Sequence, residues 1–429
     1  MVEAHRQRPP QISVASTAPV VTPIPPPVLP PAAARGTASA NPPPAGSAPA
    51  KPPSAAPPSG QQTRNPPAAP PPGITSPSNV FRAGELVWFR QTAWRLGLVL
   101  ATRPKAAGQA RADNDYDFTL APLGHALLQQ QNVIKDANDM RPFLTFSVPN
   151  TTVEELQEKP FENIDWEEFA PRYANSPDQQ TRSVKLQMVG LEASKIAARC
   201  INDSFSTFNR LGESFTADHM YKIQSFTGVY LGAEMVCISD PLRVTAPANP
   251  EAATDSSQPT TAVMLVSEIQ LITPAWPGND PSATAAATSL QFRGNIYRTV
   301  RAPIPHPTSF VAPAALGPAF EHEIGGRNGI ERDKKFAWGW MLIERDAVRS
   351  EAEVQGRFYV THKLMSIIDL PRLKNAATRG VIEEAQAYLN NRSHSGFCGR
   401  TIGLRPGRAA SVGKAVATQF VVPLGLVED

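Results

Sequence analysis

The sequence predicts a strand-rich α+β fold in two modules behind a disordered N-terminal arm. Three observations carry that prediction. From Met1 to about Asn79 the chain is dominated by Pro, Ala, Ser and Gln and holds about half of the 45 prolines, with almost no aromatic residues. Such a segment cannot bury enough apolar surface to offset the entropy of ordering it, which predicts disorder with polyproline II character. Behind the arm, apolar runs of strand length such as GELVWF and TAVMLVSEIQLI recur. The long polar stretches ANPEAATDSSQPTT and TPAWPGNDPSATAAATS fall between such runs, as surface insertions between strands do.

Roughly 350 of the 429 residues remain after the arm, enough for two cores. The expected division is an arm over 1–79, a β module with helices over 80–210, a second β module with long insertions over 211–402, and an extension over 403–429. In the first module Gly84 to Arg90 and Leu96 to Ala101 read as strands joined by a turn at Gln91, Thr92 and Ala93. DYDFTL and FLTFSV read as two more strands. TTVEELQEKP suggests a short helix capped by Thr151 or Thr152 and ended by Pro160. Ala193, Ile196, Ala197, Cys200 and Ile201 share one helical face, which assigns Cys200 to the core.

The second module opens near Tyr221. GAEMVCISDPLRV, TAVMLVSEIQLI and SLQFRGNIYRTV are strand candidates, followed by FAWGWMLIER and EVQGRFYVTH. Val381, Ile382, Ala385, Tyr388 and Leu389 fit an amphipathic helix.

A formal charge of +3, with no long run of either sign, argues against a dedicated nucleic-acid binder but leaves room for a local basic patch. RDKKF and RPGR are the short basic clusters present. The three cysteines, Cys200, Cys237 and Cys398, are widely spaced and odd in number. They form no disulfide framework or CxxC pattern, which suggests a reducing compartment. No apolar run approaches the ~20 residues of a membrane span, and the N-terminus has no signal-peptide core. The expectation is a soluble intracellular protein without membrane contact.

Enzymatic signatures are absent. Neither GxxxxGK[ST], GxGxxG nor GxSxG occurs. HEIGG lacks the second histidine of a zinc helix. His394 and Cys398 lie close together in SHSGFCGR, but chain proximity alone does not make a thiolate–imidazole pair, and a glycine-rich connector is the simpler assignment. The expectation is therefore a non-enzymatic protein with no catalytic residues, cofactor or metal. In the arm, Arg64, Pro67 and Pro70 match a ligand pattern of SH3 domains, a match that so proline-rich a segment produces by chance.

FRAGELVWFRQTAWRLGLVL is more informative. Gly-Glu-x-Val-Trp, a short turn, then Trp-x-x-Gly-x-Val resembles the opening of SH3-like barrels, where glycines permit tight bends. Outward aromatics near such a turn can form a cage that holds a methylated ammonium by cation–π attraction, worth about 0.5–2 kcal/mol per contact. Trp88, Phe89 and Trp94 are the candidates, with Tyr116 as a fourth wall. The competing assignment is that these aromatics pack the barrel.

ISDPLRV resembles the start of a bromo-adjacent homology domain; an edge strand blunted by Pro241 is the alternative. In VQGRFYVTHKLM, Arg357 beside Phe358 and Tyr359 could meet an acidic partner or snorkel at the surface. The succession SFTGVYLGAEMVCISDPLRV, VMLVSEIQ, FRGNIY and VQGRFYVTHKLM resembles the fungal cryptic loci regulator two family of transcription-silencing proteins. Ser239–Asp240 stands where the family has Gly-Glu, and Gly356–Tyr359 where it has Gly-Arg-Trp-Tyr. The block order agrees over about Phe81 to Asn391, and GELVWF fits as well.

The resemblance implies a nuclear, non-enzymatic scaffold of a heterochromatin silencing complex, with a bromo-adjacent-homology-like second module. It would link a histone deacetylase module to chromatin through a zinc-finger partner, in one assembly with a Snf2-type remodeller. Contact with DNA or nucleosomes would be weak. Asp240, Arg243, Arg357 and Tyr359 become the candidate partner-binding residues. The alternative function is a free-standing reader of methylated lysine through the aromatic cage.

Overall fold

The computed structural model describes residues 79–106, 113–128, 130–245, 261–276, 288–305, 309–392 and 403–428. Residues 1–78, most of both polar insertions, and His394 with Cys398 lie outside them.

LVWFR (Leu86–Arg90, β1) pairs antiparallel with Trp94–Pro104 (β2), and Gln91–Ala93 make the connection. Leu86 through Phe89 are all buried, so this strand is covered on both faces, and its unbroken apolar run reflects that. Gly97 of β2 makes room for the Phe89 ring, since a Cβ there would lie 2.9 Å from it. Tyr116–Pro122 (β3), Val133–Asp136 (β4) and Met140–Pro142 (β5) complete a five-stranded sheet of order β4-β3-β2-β1-β5.

After Trp166–Tyr173 (α1) and Gln179–Asn202 (α2) the chain enters a ten-stranded sheet. Its strands are Ser204–Phe215 (β6), Tyr221–Leu231 (β7), Glu234–Cys237 (β8), Pro241–Val244 (β9), Ala262–Pro274 (β10), Ser289–Pro303 (β11), Phe310–Val311 (β12), Phe336–Ser350 (β13), Val354–Arg357 (β14) and Gly403–Leu404 (β15). The main path runs β12-β13-β11-β10-β7-β6-β15, while β8 pairs with β7, and β9 pairs with both β10 and β14. Pro318–Ile330 (α3) lies between β12 and β13 in sequence, and Thr361–Ile368 (α4) and Leu370–Arg379 (α5) follow β14. Arg408–Val412 (α6) follows β15.

Both sheets belong to one unit, Arg64–Asp429. One core joins the first sheet to the buried face of α2, to α4 and to Val412–Phe420. A second lies on the large sheet around Met264, Ile269, Phe292 and Ile296. A third gathers Trp340, Phe320 and Phe358 between α3 and β13.

Several sequence expectations change. FLTFSV is not a strand: Phe143–Thr145 form a 3₁₀ turn, and Phe143 and Leu144 are buried by tertiary packing. TTVEELQEKP yields only the turn Glu154–Leu156 with no side-chain cap, because the Thr152 hydroxyl donates to Glu192 at 2.7 Å. The helix expected around Val381–Leu389 is a single 3₁₀ turn, Ala385–Tyr388. There the Gln386 amide donates to the Tyr359 carbonyl and Glu384 reaches out to Arg327. The expected module boundary at 210/211 falls inside β6. Cys200 lies on α2 as read, but only half-buried beside its fully buried neighbours.

Candidate functional site

The quoted motifs converge on one buried seam between the two sheets. Before β1 the chain folds back on itself, the Arg82 amide donating to Glu85 Oε2 at 2.9 Å. Gly84 takes φ +85, and a Cβ there would lie 2.5 Å from the Tyr230 ring. Arg82 reaches across to Asp240, just before β9, with Nη1 to Oδ2 at 2.5 Å and Nη2 to Oδ1 at 2.8 Å. Asp240 also accepts the Cys237 amide, which closes the β8–β9 turn. Glu85 Oε1 accepts the Met235 amide at 3.0 Å and lies 3.2 Å from Arg357 Nη1.

Glu234 serves β14. One of its oxygens accepts the Arg357 amide at 2.8 Å, the other the Tyr359 hydroxyl at 2.6 Å. Arg357 donates onward to the carbonyls of Asn79 and Val80. Arg243 is held by backbone carbonyls: Nε donates to Arg357, and Nη2 to Gln355 and Asn390. Gly356 lets this packing close at φ +129, for a Cβ would sit 2.8 Å from Arg243 Nη2 and 2.9 Å from Glu234 Oε2. From the C-terminal side Arg408 donates to the carbonyls of Gly84 and Gly232 and stacks over Tyr230.

Burial dominates the electrostatics here, because the charged form of a group is disfavoured away from water. It pushes Glu85 up against the opposing pull of Arg357 and Arg82. The Tyr359 phenol rises well above its ordinary value by burial, and Glu234 adds to the rise. Burial takes Arg408 down to about 10 and the Cys237 thiol up to about 12. For Arg82 burial works against the charge, yet Asp240 prevails and its pKa is raised.

The expected partner residues Asp240, Arg243, Arg357 and Tyr359 are thus brought together, but in the interior: they are 1, 2, 2 and 4% exposed. Their polar groups are engaged by this chain's own backbone and side chains.

The expected cage is only partly assembled. Trp88 and Trp94 share a face of the first sheet, because Trp88 registers with Leu96 two residues along β2. Phe146 completes the group, its ring 5.6 Å from Trp88 and 5.4 Å from Trp94. The Arg141 guanidinium lies over Trp94 at 5.0 Å. Trp88 itself is buried and donates its indole N–H to the Phe143 carbonyl. Phe89 points to the opposite face, into the interior. Tyr116 pairs with Pro104 at the far end of β2, beside Phe118 and away from Trp94.

Sequence reasoning missed Arg82, Glu85, Glu234 and Arg408. Glu85 and Glu234 sat in full view inside GELVWF and LGAEMV, where an acid amid apolar residues marks a buried charge needing a partner. Arg408 was read as part of a basic cluster, RPGR, but is fully buried. Among the described residues no group of three or more His, Cys, Asp and Glu is placed to hold a metal, and no helix is long and apolar enough to cross a membrane.

Residues 226–360 match the family model of the transcription-silencing protein Clr2. Over these residues the chain is similar to that family. The resemblance read from the motifs is therefore supported over these residues, which run from within β7 to just beyond β14. A solved structure described as "Structure of Clr2 bound to the Clr1 C-terminus" is similar at 13% identity and a TM-score of 0.40. The similarity covers 80% of this chain and 59% of that one. No curated protein matches the chain. Glu234, Asp240, Arg243, Arg357 and Tyr359 all lie in the matched stretch. Arg82, Glu85 and Arg408 come to it from outside.

Proposed function

We propose that this chain is a non-enzymatic scaffold of a nuclear, heterochromatic transcription-silencing complex, linking a histone deacetylase module to chromatin. A zinc-finger protein and a Snf2-type remodeller are its further partners. The observation that carries the reading is the Clr2-family match over residues 226–360. We read the first sheet as an SH3-like module and the large sheet as bromo-adjacent-homology-like. In this reading Asp240, Arg243, Arg357 and Tyr359 act on a partner by holding β9 and β14 in place rather than by touching it. Contact with DNA or nucleosomes is weak and falls steeply with salt, since each phosphate contact releases counterions. The test is affinity purification of the tagged chain from its native cells with mass spectrometry. Recovery of a histone deacetylase together with a Snf2-type remodeller is expected; a stable, abundant protein that brings down neither would overturn the reading.

A second reading is a reader of methylated lysine, favoured by the grouping of Trp88, Trp94 and Phe146 around a site where Arg141 already supplies a cation. A methylated ammonium would have to displace Arg141. Arg141→Ala should then tighten binding of a trimethyl-lysine peptide, and no change in affinity would remove this reading.

A further inference from the structure

A cavity of about 620 Å³ opens between the residues leading into α1, the end of α2 and the segment Ser411–Ala415. Cavities of this size hold a drug-sized molecule or a large peptide side chain. Its apolar walls include Phe161, Ile164, Trp166, Ile201 and Val412, all buried in the rest of the fold. The indole N–H of Trp166 is already satisfied by the Phe161 carbonyl, so that wall offers an apolar face.

His125 is the polar group that packs directly on the aromatic walls. His125 is 6% exposed and packs against the rings of Trp166 at 5.7 Å and Phe161 at 6.0 Å. Its Nδ1 accepts the Leu127 amide at 3.2 Å, so the proton resides on Nε2. Among the described residues no acceptor takes that Nε2–H. Burial and the nearby Lys414 ammonium keep the ring below its ordinary pKa. The ring lines the cavity, so an incoming acceptor can take that donor without displacing a protein partner.

The rim carries a sign. Glu162, Asp165 and Glu167 line the cavity against one cation, Lys414. Arg405 engages Glu162, and Asp165 caps α1 by accepting the Glu168 amide, whereas Glu167 pairs with no cation among the described residues. A cup with aromatic and aliphatic walls, an imidazole donor and an acidic rim fits a peptide better than a small anion.

We propose that this cavity receives one large apolar side chain of a partner peptide, whose backbone carbonyl accepts the His125 Nε2–H and whose flanking residues are basic. This deepens the scaffold reading and rests on it, by naming where a partner segment docks and what chemistry it carries.

The test uses the full chain with isotope-labelled histidine and three probes. They are acetyl-Lys-Lys-Phe-Lys-Lys-amide, its Glu-flanked twin, and the Lys-flanked peptide with Ala in place of Phe. The Lys-flanked Phe peptide is expected to bind and to shift the His125 ring resonances. The Ala peptide should bind about tenfold or more weaker, from the lost apolar burial. The Glu-flanked twin should be weaker by about fivefold. Ala197→Phe, which fills the cup, should abolish binding. Because that variant could disturb α2, the exposed rim variant Glu167→Lys is the second arm and should narrow the preference for Lys over Glu flanks. The proposal is overturned if the Phe peptide does not bind at about 1 mM, if Phe and Ala bind alike, or if the Glu flank binds tighter. Saturation that leaves His125 unmoved overturns it too. None of these outcomes bears on co-purification of silencing subunits, so failure of the cup and failure of the scaffold reading are separable.

Discussion

Arg82 and Asp240, 158 residues apart in the chain, face each other through two parallel N–H···O contacts at 2.5 and 2.8 Å, with water excluded from both side chains. Such a bidentate pair fixes orientation as well as distance. It is the direct tie between the approach to β1 and the β8–β9 turn, and so between the two sheets.

Removing one partner of a buried pair leaves the other charge uncompensated, which costs about 3–5 kcal/mol. Asp240→Ala and Arg82→Ala should each lower unfolding free energy by that amount in urea titrations. The double variant should lose less than the sum of the two. Additive losses would mean that the two side chains do not act as a pair.

Gly84 and Gly356 both hold positive φ under close contacts. Gly84→Ala should destabilise by at least about 1–3 kcal/mol from backbone strain, with the Tyr230 clash adding to it. Trimming Tyr230 to Leu in the Gly84→Ala background should recover the clash component only. Thermal unfolding of wild type, Gly84→Ala, Tyr230→Leu and the double variant reads both effects, and an unaltered Gly84→Ala protein would contradict the geometry.

Trp88→Ala and Trp94→Ala should part company. Trp88 is buried, so its loss should cost about 3–5 kcal/mol. Trp94 is half-buried and should cost clearly less. A Trp88→Ala protein of native stability that no longer binds methylated peptide would reinstate Trp88 as a ligand wall.

Glu331 is held down at about 2 by hydrogen bonds from Arg301. A carboxylate depressed in the fold contributes stability that is present above its unfolded value and lost as pH falls toward the folded one. The contribution should therefore be complete above about pH 5 and vanish near pH 2. Melting temperatures of wild type and Glu331→Gln should differ at pH 6 and converge at pH 2. Curves that stay parallel would refute the linkage.

Much of the strand content was legible because apolar runs bounded by turns survive any tertiary context. Gln91–Ala93 as a connection and the long strands β10 and β11 followed directly from it. FLTFSV misled because Phe143 and Leu144 are buried by tertiary packing, with contacts to Trp88 and Gly356, rather than by strand pairing, and alternation alone cannot tell those apart. The seam was half legible. Asp240, Arg243, Arg357 and Tyr359 were singled out from their motifs while Glu85 and Glu234 were passed over, and burial turned an expected contact surface into an interior. Which charge meets which is set by chain crossings of more than a hundred residues, and no local pattern encodes them. The same holds for Phe146, which joins Trp94 only because the chain returns after β5.

The seam also decides how this protein can be dissected. A fragment trimmed to residues 226–360 would carry Asp240 without Arg82, Arg357 without Glu85 and the Gly232 carbonyl without Arg408, exposing groups whose counterparts had been cut away. The stretch that the family shares is thus smaller than the stretch that must be expressed together, and domain-by-domain studies should start no later than Asn79 and extend past Arg408.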